Sequence, residues 1–234
     1  MERAHGMPLH VAVRSGNEAV ARMLVEQGAD LSEIDMWGDT NLHSAVKRGH
    51  EVVALMLVEK GADLLAKNTF YGDTPLHCAA KSGHETVALM LVEKRADLSE
   101  TDKWGSTPLH AAVKGGHEAV ARMLIEKGAA HSAHDRWGDT PLHAAVKSGN
   151  AAVASMLVQK GADLSAKNRF FETPLHLAAE HDLEEVARMM VEKGAGPFVQ
   201  NDAGLTAADI KKETKKKAWS MGHQDRFFAG QRVL

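Results

Sequence analysis

Fourteen histidines in 234 residues could supply metal ligands or proton relays, so their spacing decides whether that chemistry is plausible. His131 and His134 stand three apart just before Asp135, but no Cys or His is near enough in sequence to complete a closed site of four ligands. No metal is expected. The single cysteine, Cys78, follows His77 and precedes Ala79-Ala80. A nucleophilic thiol needs a partly exposed setting that lowers its pKa and a base aimed at it; Cys78 reads instead as a small packed residue. Glu172 with Glu180, His181 and Asp182 has the carboxylate and imidazole composition of acid–base work. That group is the enzymatic alternative, although no nucleophile motif, phosphate-cradling glycine loop or cofactor motif accompanies it. The expectation is no enzyme and no cofactor.

Two other series have the chemistry of recognition. Five of the eleven aromatic residues, Trp37, Tyr71, Trp104, Trp137 and Phe170, stand three residues before a recurring threonine position, and Phe171 follows the last of them. Seven residues after the same position come Arg14, Lys47, Lys81, Lys114 and Lys147, with Arg48 beside Lys47; the final copy has Glu180-His181. Exposed rings are common binding anchors, and a row of cations beside them suits an acidic or extended peptide. Two plainer readings stand next to this one. The rings could stack on one another and stiffen their turns, and lysines are favoured at helix C-termini by the backbone dipole. Asp39, Asp73, Asp139 and Glu172 alternate with the cations, so the strip is zwitterionic rather than basic, which argues against nucleic acid. Rings with carboxylates are also the composition of a methylated-lysine cage. That second alternative needs the rings to converge on one point.

The elements that must position these residues are set by an internal repeat. Thr-Pro-Leu-His or a near copy begins at Met7, Thr40, Thr74, Thr107, Thr140 and Thr173, spaced by 33 residues except for one 34, and a degenerate copy begins at Thr206. The extra residue falls near Asn68 to Tyr71. Threonine before proline predicts a capped helix start. Small pairs such as Ala79-Ala80 allow close packing, and Ser-Gly-His or its variants break the helix. A second helix carries Met23, Met56, Met90, Met123, Met156 and Met189 at one position, a core stripe, and ends at a Gly-Ala-Asp whose glycine suits a left-handed cap. One such unit cannot bury its own apolar face, so the copies must stack.

These residues closely resemble the ankyrin repeat family over roughly positions 7 to 221. The resemblance implies an all-α fold with short β-hairpin fingers, a solenoid of stacked helix-turn-helix units. It implies that the motif histidines His10, His43, His77, His110, His143 and His176 hydrogen-bond within the turns, and that first helices and fingers line a concave side where partners bind. On that side fall Trp37, Tyr71, Trp104, Trp137, Phe170 and Phe171, together with Lys47, Arg48, Lys81, Lys114, Lys147, Glu180 and His181. A protein or peptide partner is expected. The family commonly has polar residues or glycine where this chain has its aromatic row. Arg95 stands where other units have the cap glycine, and Phe171 and Asp182 displace residues of the finger and helix break in the sixth unit.

Residues 1–221 read as one repeat domain with a shortened final unit from Thr206, and 222–234 as a tail. In the final unit Asp209 replaces histidine, Lys211 to Lys217 form a basic outer face, and Trp219 is read as a plug closing the core. The absence of a finger before Met7 is compatible with a longer parent chain. A net charge of -3, no long apolar run and one thiol point to a soluble monomer in a reducing compartment, cytoplasmic or, given the lysine run, nuclear. Neither a membrane nor a nucleic acid is expected as partner.

Overall fold

The structure is a computed structural model that describes residues 8–214 and 216. Met7, Lys215, Lys217, Trp219 and the 222–234 tail lie outside the described residues. The chain divides into two compact units, Met1–Arg136 and Trp137–Leu234.

In the first unit, α1 (Pro8–Ser15) pairs with α2 (Glu18–Glu26) and α3 (Asn41–Lys47) with α4 (Glu51–Glu59); α5 (Pro75–Ser82) pairs with α6 (Glu85–Glu93) and α7 (Pro108–Lys114) with α8 (Glu118–Glu126). The inner helices α1, α3, α5 and α7 stack in chain order, and so do the outer helices. In the second unit, α9 (Pro141–Lys147) pairs with α10 (Ala151–Gln159) and α11 (Pro174–Glu180) with α12 (Glu184–Glu192). There too α9 packs on α11 and α10 on α12, and residues 207–214 are helical again. This is the stacked helix-turn-helix architecture that the repeat implied.

Helices of seven to nine residues are marginal alone in water, so caps and packing must hold them. Thr40 caps α3: its hydroxyl accepts the His43 N–H, while His43 Nδ1 accepts the Thr40 N–H at 3.3 Å and lies 2.8 Å from the Thr40 hydroxyl. Thr74 with His77, Thr107 with His110, Thr140 with His143 and Thr173 with His176 repeat this box. Since a backbone N–H only donates, Nδ1 is the acceptor and the ring proton sits on Nε2. His43 Nε2 therefore donates to the Asp73 carbonyl at 2.8 Å and His77 Nε2 to that of Ser106 at 2.9 Å. In the second unit His143 and His176 reach Glu172 and Leu205 in the same way. His43, His77, His143 and His176 thus each cap their own helix and hold the following finger, and His10 makes the second of these bonds, to the Asp39 carbonyl at 3.1 Å. Asp209, in the histidine position of the last copy, keeps half of this: its carboxylate accepts from the Thr206 N–H and hydroxyl.

The motif leucines Leu42, Leu76, Leu109 and Leu142 are fully buried, as are Leu57, Leu91, Leu124 and Leu157 of the outer helices. The methionine stripe is less uniform. Met56, Met123 and Met156 are buried, whereas Met90 and Met189 are half-buried and Met23 is 48% exposed. Met23 lies on α2, which has no preceding outer helix among the described residues to cover it.

Candidate functional site

The fingers are turns built on an Asx side chain. Asp35 Oδ1 accepts the N–H groups of Trp37 and Asp39 at 2.9 and 3.0 Å, and the Asp35 N–H returns to the Asp39 carbonyl. Asn68, Asp102, Asn168 and Asn201 do the same for their own turns. Among the described residues the sole β-bridge outside a helix is Ile34 with Thr40. Within the first unit neighbouring fingers are tied by main chain: Lys103 N–H donates to the Tyr71 carbonyl at 2.9 Å and Arg136 N–H to that of Trp104 at 2.8 Å. The inserted residue changes the first link, where Thr69 N–H meets the Gly38 carbonyl instead. In the second unit Arg169 binds the Trp137 carbonyl and Asp202 that of Phe170.

This scaffold holds the aromatic residues outward. Trp37, Tyr71, Phe170 and Phe171 are about half exposed, at 47, 50, 51 and 56%, and Trp137 is 38% exposed; Trp104 is half-buried. Two features of the row went unread in the sequence. Met36 and Phe70 extend it, standing exposed four residues before threonine where later fingers carry Lys103, Arg136 and Arg169. The rings also differ in what they touch: Tyr71 and Trp104 pair at 5.7 Å, tilted by 39°, while Trp37 lies under the Arg14 guanidinium at 4.6 Å and Phe171 under Lys167 at 5.8 Å.

The lysines are not left to solvent. Lys47 Nζ is 2.5 Å from Asp39 Oδ2, Lys81 Nζ 2.6 Å from Asp73 Oδ1, and Lys147 Nζ 2.7 Å from Asp139 Oδ2. Where Ser106 stands in place of the aspartate, Lys114 binds its hydroxyl at 3.0 Å and takes Asp135 at 2.9 Å as counter-ion. Burial acts to lower the pKa of Lys47, but the Asp39 hydrogen bond and the attraction of nearby acidic groups together outweigh it, raising the pKa and keeping the ammonium charged. The signal for these pairs was legible, since carboxylate and lysine recur one residue before and seven after threonine. In the sixth unit both places hold carboxylates, Glu172 and Glu180.

Glu180, His181 and Asp182 are exposed around the α11–α12 turn, and Glu172 accepts from Asn168 Nδ2 at 2.9 Å. No hydrogen bond or ion pair joins these four to one another among the described residues. Cys78 is buried on α5, and burial pushes its thiol pKa well above the usual range. Asp135 is engaged by Lys114, and among the described residues no three His, Cys, Asp or Glu side chains are grouped to hold a metal ion. His50, His84 and His117 at the helix breaks donate through Nε2 to the carbonyls of Arg14, Lys47 and Lys81. No described helix is long and apolar enough to cross a membrane. Of the basic run, Lys211 pairs with Glu184, and Lys212 lies 3.9 Å from Asp209.

Comparison with known proteins agrees with this construction. A family model described as "Ankyrin repeats (3 copies)" matches residues 3–68, 42–135, 91–168 and 131–201. Among solved structures, the human ASB11 ankyrin repeat domain is 28% identical, with a TM-score of 0.77 over 87% of this chain and 90% of that one. The ankyrin repeat domain of Bcl-3, a member of the IkappaB protein family, is also 28% identical, with a TM-score of 0.80 over 89% of this chain and 95% of that one. No curated protein sequence matches. The chain belongs to the ankyrin repeat family.

Proposed function

We propose that this chain is a non-catalytic binding module that takes an extended peptide or loop of a protein partner across its finger tips and inner-helix ends. Ankyrin repeats are a general protein-interaction fold, and the reading assigns the contact to particular residues. In the first unit these are Trp37, Tyr71, Trp104, Lys47, Arg48, Lys81 and Lys114; in the second, Trp137, Phe170, Phe171, Lys147, Glu180 and His181. The observation that carries it is the half-exposure of rings at successive finger tips, in a family position usually given to polar residues or glycine. Large rings left in water are what an interface covers. The pairing of Lys47, Lys81, Lys114 and Lys147 with carboxylates leaves no positive track of the kind phosphate backbones require, which supports a protein partner. We place the module in a reducing compartment, cytoplasmic or nuclear, as a monomer, with residues 1–221 acting as one domain.

The methylated-lysine reading finds its ring pair in Tyr71 and Trp104, but the cation beside both rings is Lys81 of the same chain. Affinity capture comparing the wild type with the Trp104→Ala/Trp137→Ala double variant tests the main reading. Lost partners with unchanged helical circular dichroism are expected. Unfolding of the double variant, or full retention of partners, would overturn it.

A further inference from the structure

We propose that the cleft formed by Arg14, Trp37, Ser44 and Arg48 in the first unit binds a peptide carboxylate that has an apolar neighbour. The site deepens the peptide-binding reading and rests on it.

The cations at the helix ends fall into two classes. Lys47, Lys81, Lys114 and Lys147 are each held by an aspartate. Arg14 and Arg48 make no ion pair among the described residues, and Arg14 lies over Trp37 instead. Both arginines line one open cleft of about 410 Å³ with Trp37 and Ser44. The two carboxylates in its wall are already engaged. Asp35 Oδ1 accepts two finger N–H groups, and Asp39 accepts from Lys47 and, at 2.9 Å, from Asn68 Nδ2. Neither makes an ion pair with Arg14 or Arg48 among the described residues.

Ser44 adds an independent sign. The same position on the other first helices holds Val11, Cys78, Ala111, Ala144 and Leu177. Ser44 is 5% exposed, lines the cleft, and has no hydrogen-bond partner for its hydroxyl among the described residues. Unlike His10 Nδ1 and Asn41 Oδ1, the Ser44 oxygen is not sealed from solvent; it opens on the cleft, where an anionic oxygen would accept from it. A guanidinium fork grips a carboxylate through two parallel N–H donors, a geometry lysine does not offer. The wall holds three cations against two carboxylates, an excess of one charge that fits a carboxylate rather than a doubly charged phosphate. The half-exposed Trp37 side chain then receives the apolar neighbour.

The carboxylate could belong to an Asp or Glu side chain or to a chain terminus, and the test separates the two. Three peptides are titrated into ¹⁵N-labelled protein: acetyl-Glu-Leu-Glu-Leu-amide, acetyl-Gln-Leu-Gln-Leu-amide, and acetyl-Gln-Leu-Gln-Leu with a free terminal carboxylate. The Trp37 indole N–H and the Arg14 and Arg48 Nε–H signals are followed. One or both carboxylate peptides should shift these signals and the neutral amide should not. Arg14→Gln and Arg48→Gln should each weaken binding roughly tenfold or more, whereas Arg122→Gln on the outer helix α8 should leave it unchanged. Unaltered thermal midpoints show that the variants fold. Equal response to the neutral peptide, or undiminished affinity in both arginine variants, overturns the carboxylate site while leaving the finger-tip reading standing. Silence from all three peptides also overturns it, and the finger-tip reading is then judged by the Trp104/Trp137 capture alone.

Discussion

The ammonium of Lys81 lies 2.6 Å from Asp73 Oδ1 and 3.5 Å from Asp102 Oδ2, with the ring centroids of Tyr71 and Trp104 at 5.6 and 5.8 Å. Two carboxylates and two rings thus surround a cation supplied by α5. Both carboxylate side chains are only 3% exposed, so removing the lysine leaves buried charge without its counter-ion. Lys81→Gln is expected to destabilise by about 1–3 kcal/mol, below the cost of breaking a fully buried pair because the lysine itself is partly solvated. A double-mutant cycle with Asp73→Asn, read from urea midpoints, should give a coupling of at least about 0.5 kcal/mol. Additive effects would mean that the pair is solvated and the ring pair is free for a foreign cation.

Backbone conformation supplies a graded prediction. Three positions per unit have positive φ, and glycine fills nearly all of them; the exceptions are Arg95 at 69°, Phe171 at 57° and Asp182 at 56°. A side chain in the left-handed region costs about 1–2 kcal/mol, less for aspartate, which visits it more readily. Arg95→Gly and Phe171→Gly should each stabilise by about 1 kcal/mol, and Asp182→Gly by less. Chemical denaturation gives the ranking, and a lowered midpoint for Arg95→Gly would show that its side chain makes a compensating contact. Phe171 combines this strain with a 56% exposed ring, so folding alone gives no reason for the residue.

How far the sequence could be read follows from which forces are local. Caps, helix breaks and fingers recur with the repeat because each is specified within a few residues. The left-handed backbone at Arg95, Phe171 and Asp182 was foreshadowed by the glycines missing there. The alternation of carboxylate and lysine was legible as well, but not its exception: folding lays Lys47, Lys81 and Lys147 beside the aspartate eight residues back, whereas Lys114 takes Asp135 in the next finger. The two arginines that escape pairing were indistinguishable from the lysines until that geometry was known. Likewise the sequence does not say which rings meet: Tyr71 pairs with Trp104, while the finger of Trp37 is joined to the next through Thr69 and Gly38.

That link makes Gly38 unusually sensitive. A Cβ at Gly38 would lie 2.3 Å from Thr69 Oγ1 and 2.9 Å from the Thr69 backbone nitrogen, at a φ of 74°. At Gly61, with φ 92°, a Cβ meets nothing within 4 Å. Gly61→Ala should cost only the left-handed penalty of about 1 kcal/mol, and Gly38→Ala at least about 1 kcal/mol more, because backbone must move. Thermal unfolding of the two variants checks this. Equal losses would mean that the first finger yields freely and that the Gly38–Thr69 link does not fix the position of Trp37.

The motif histidines make stability depend on pH in a defined direction. Burial lowers the pKa of His43 and His77 below the ordinary imidazole value, partly offset by the carbonyls of Asp73 and Ser106 that accept from Nε2. A proton on Nδ1 would also abolish the acceptor on which Thr40 and Thr74 rely. Between the lowered folded value and the unfolded value of about 6.5, the unfolded chain binds more protons, so stability rises with pH across that window. The contribution is complete above about pH 6.5 and is lost as the pH falls, with a limiting slope of about 1.4 kcal/mol per pH unit for each such histidine. Urea midpoints at about pH 7.5, 6.5 and 5.5 should therefore fall in that order, above the range where ordinary carboxylates titrate. A flat or rising series would mean that His43 and His77 accept protons in the folded protein, and the neutral Nε2–H form that joins each helix cap to the next finger would have to be abandoned.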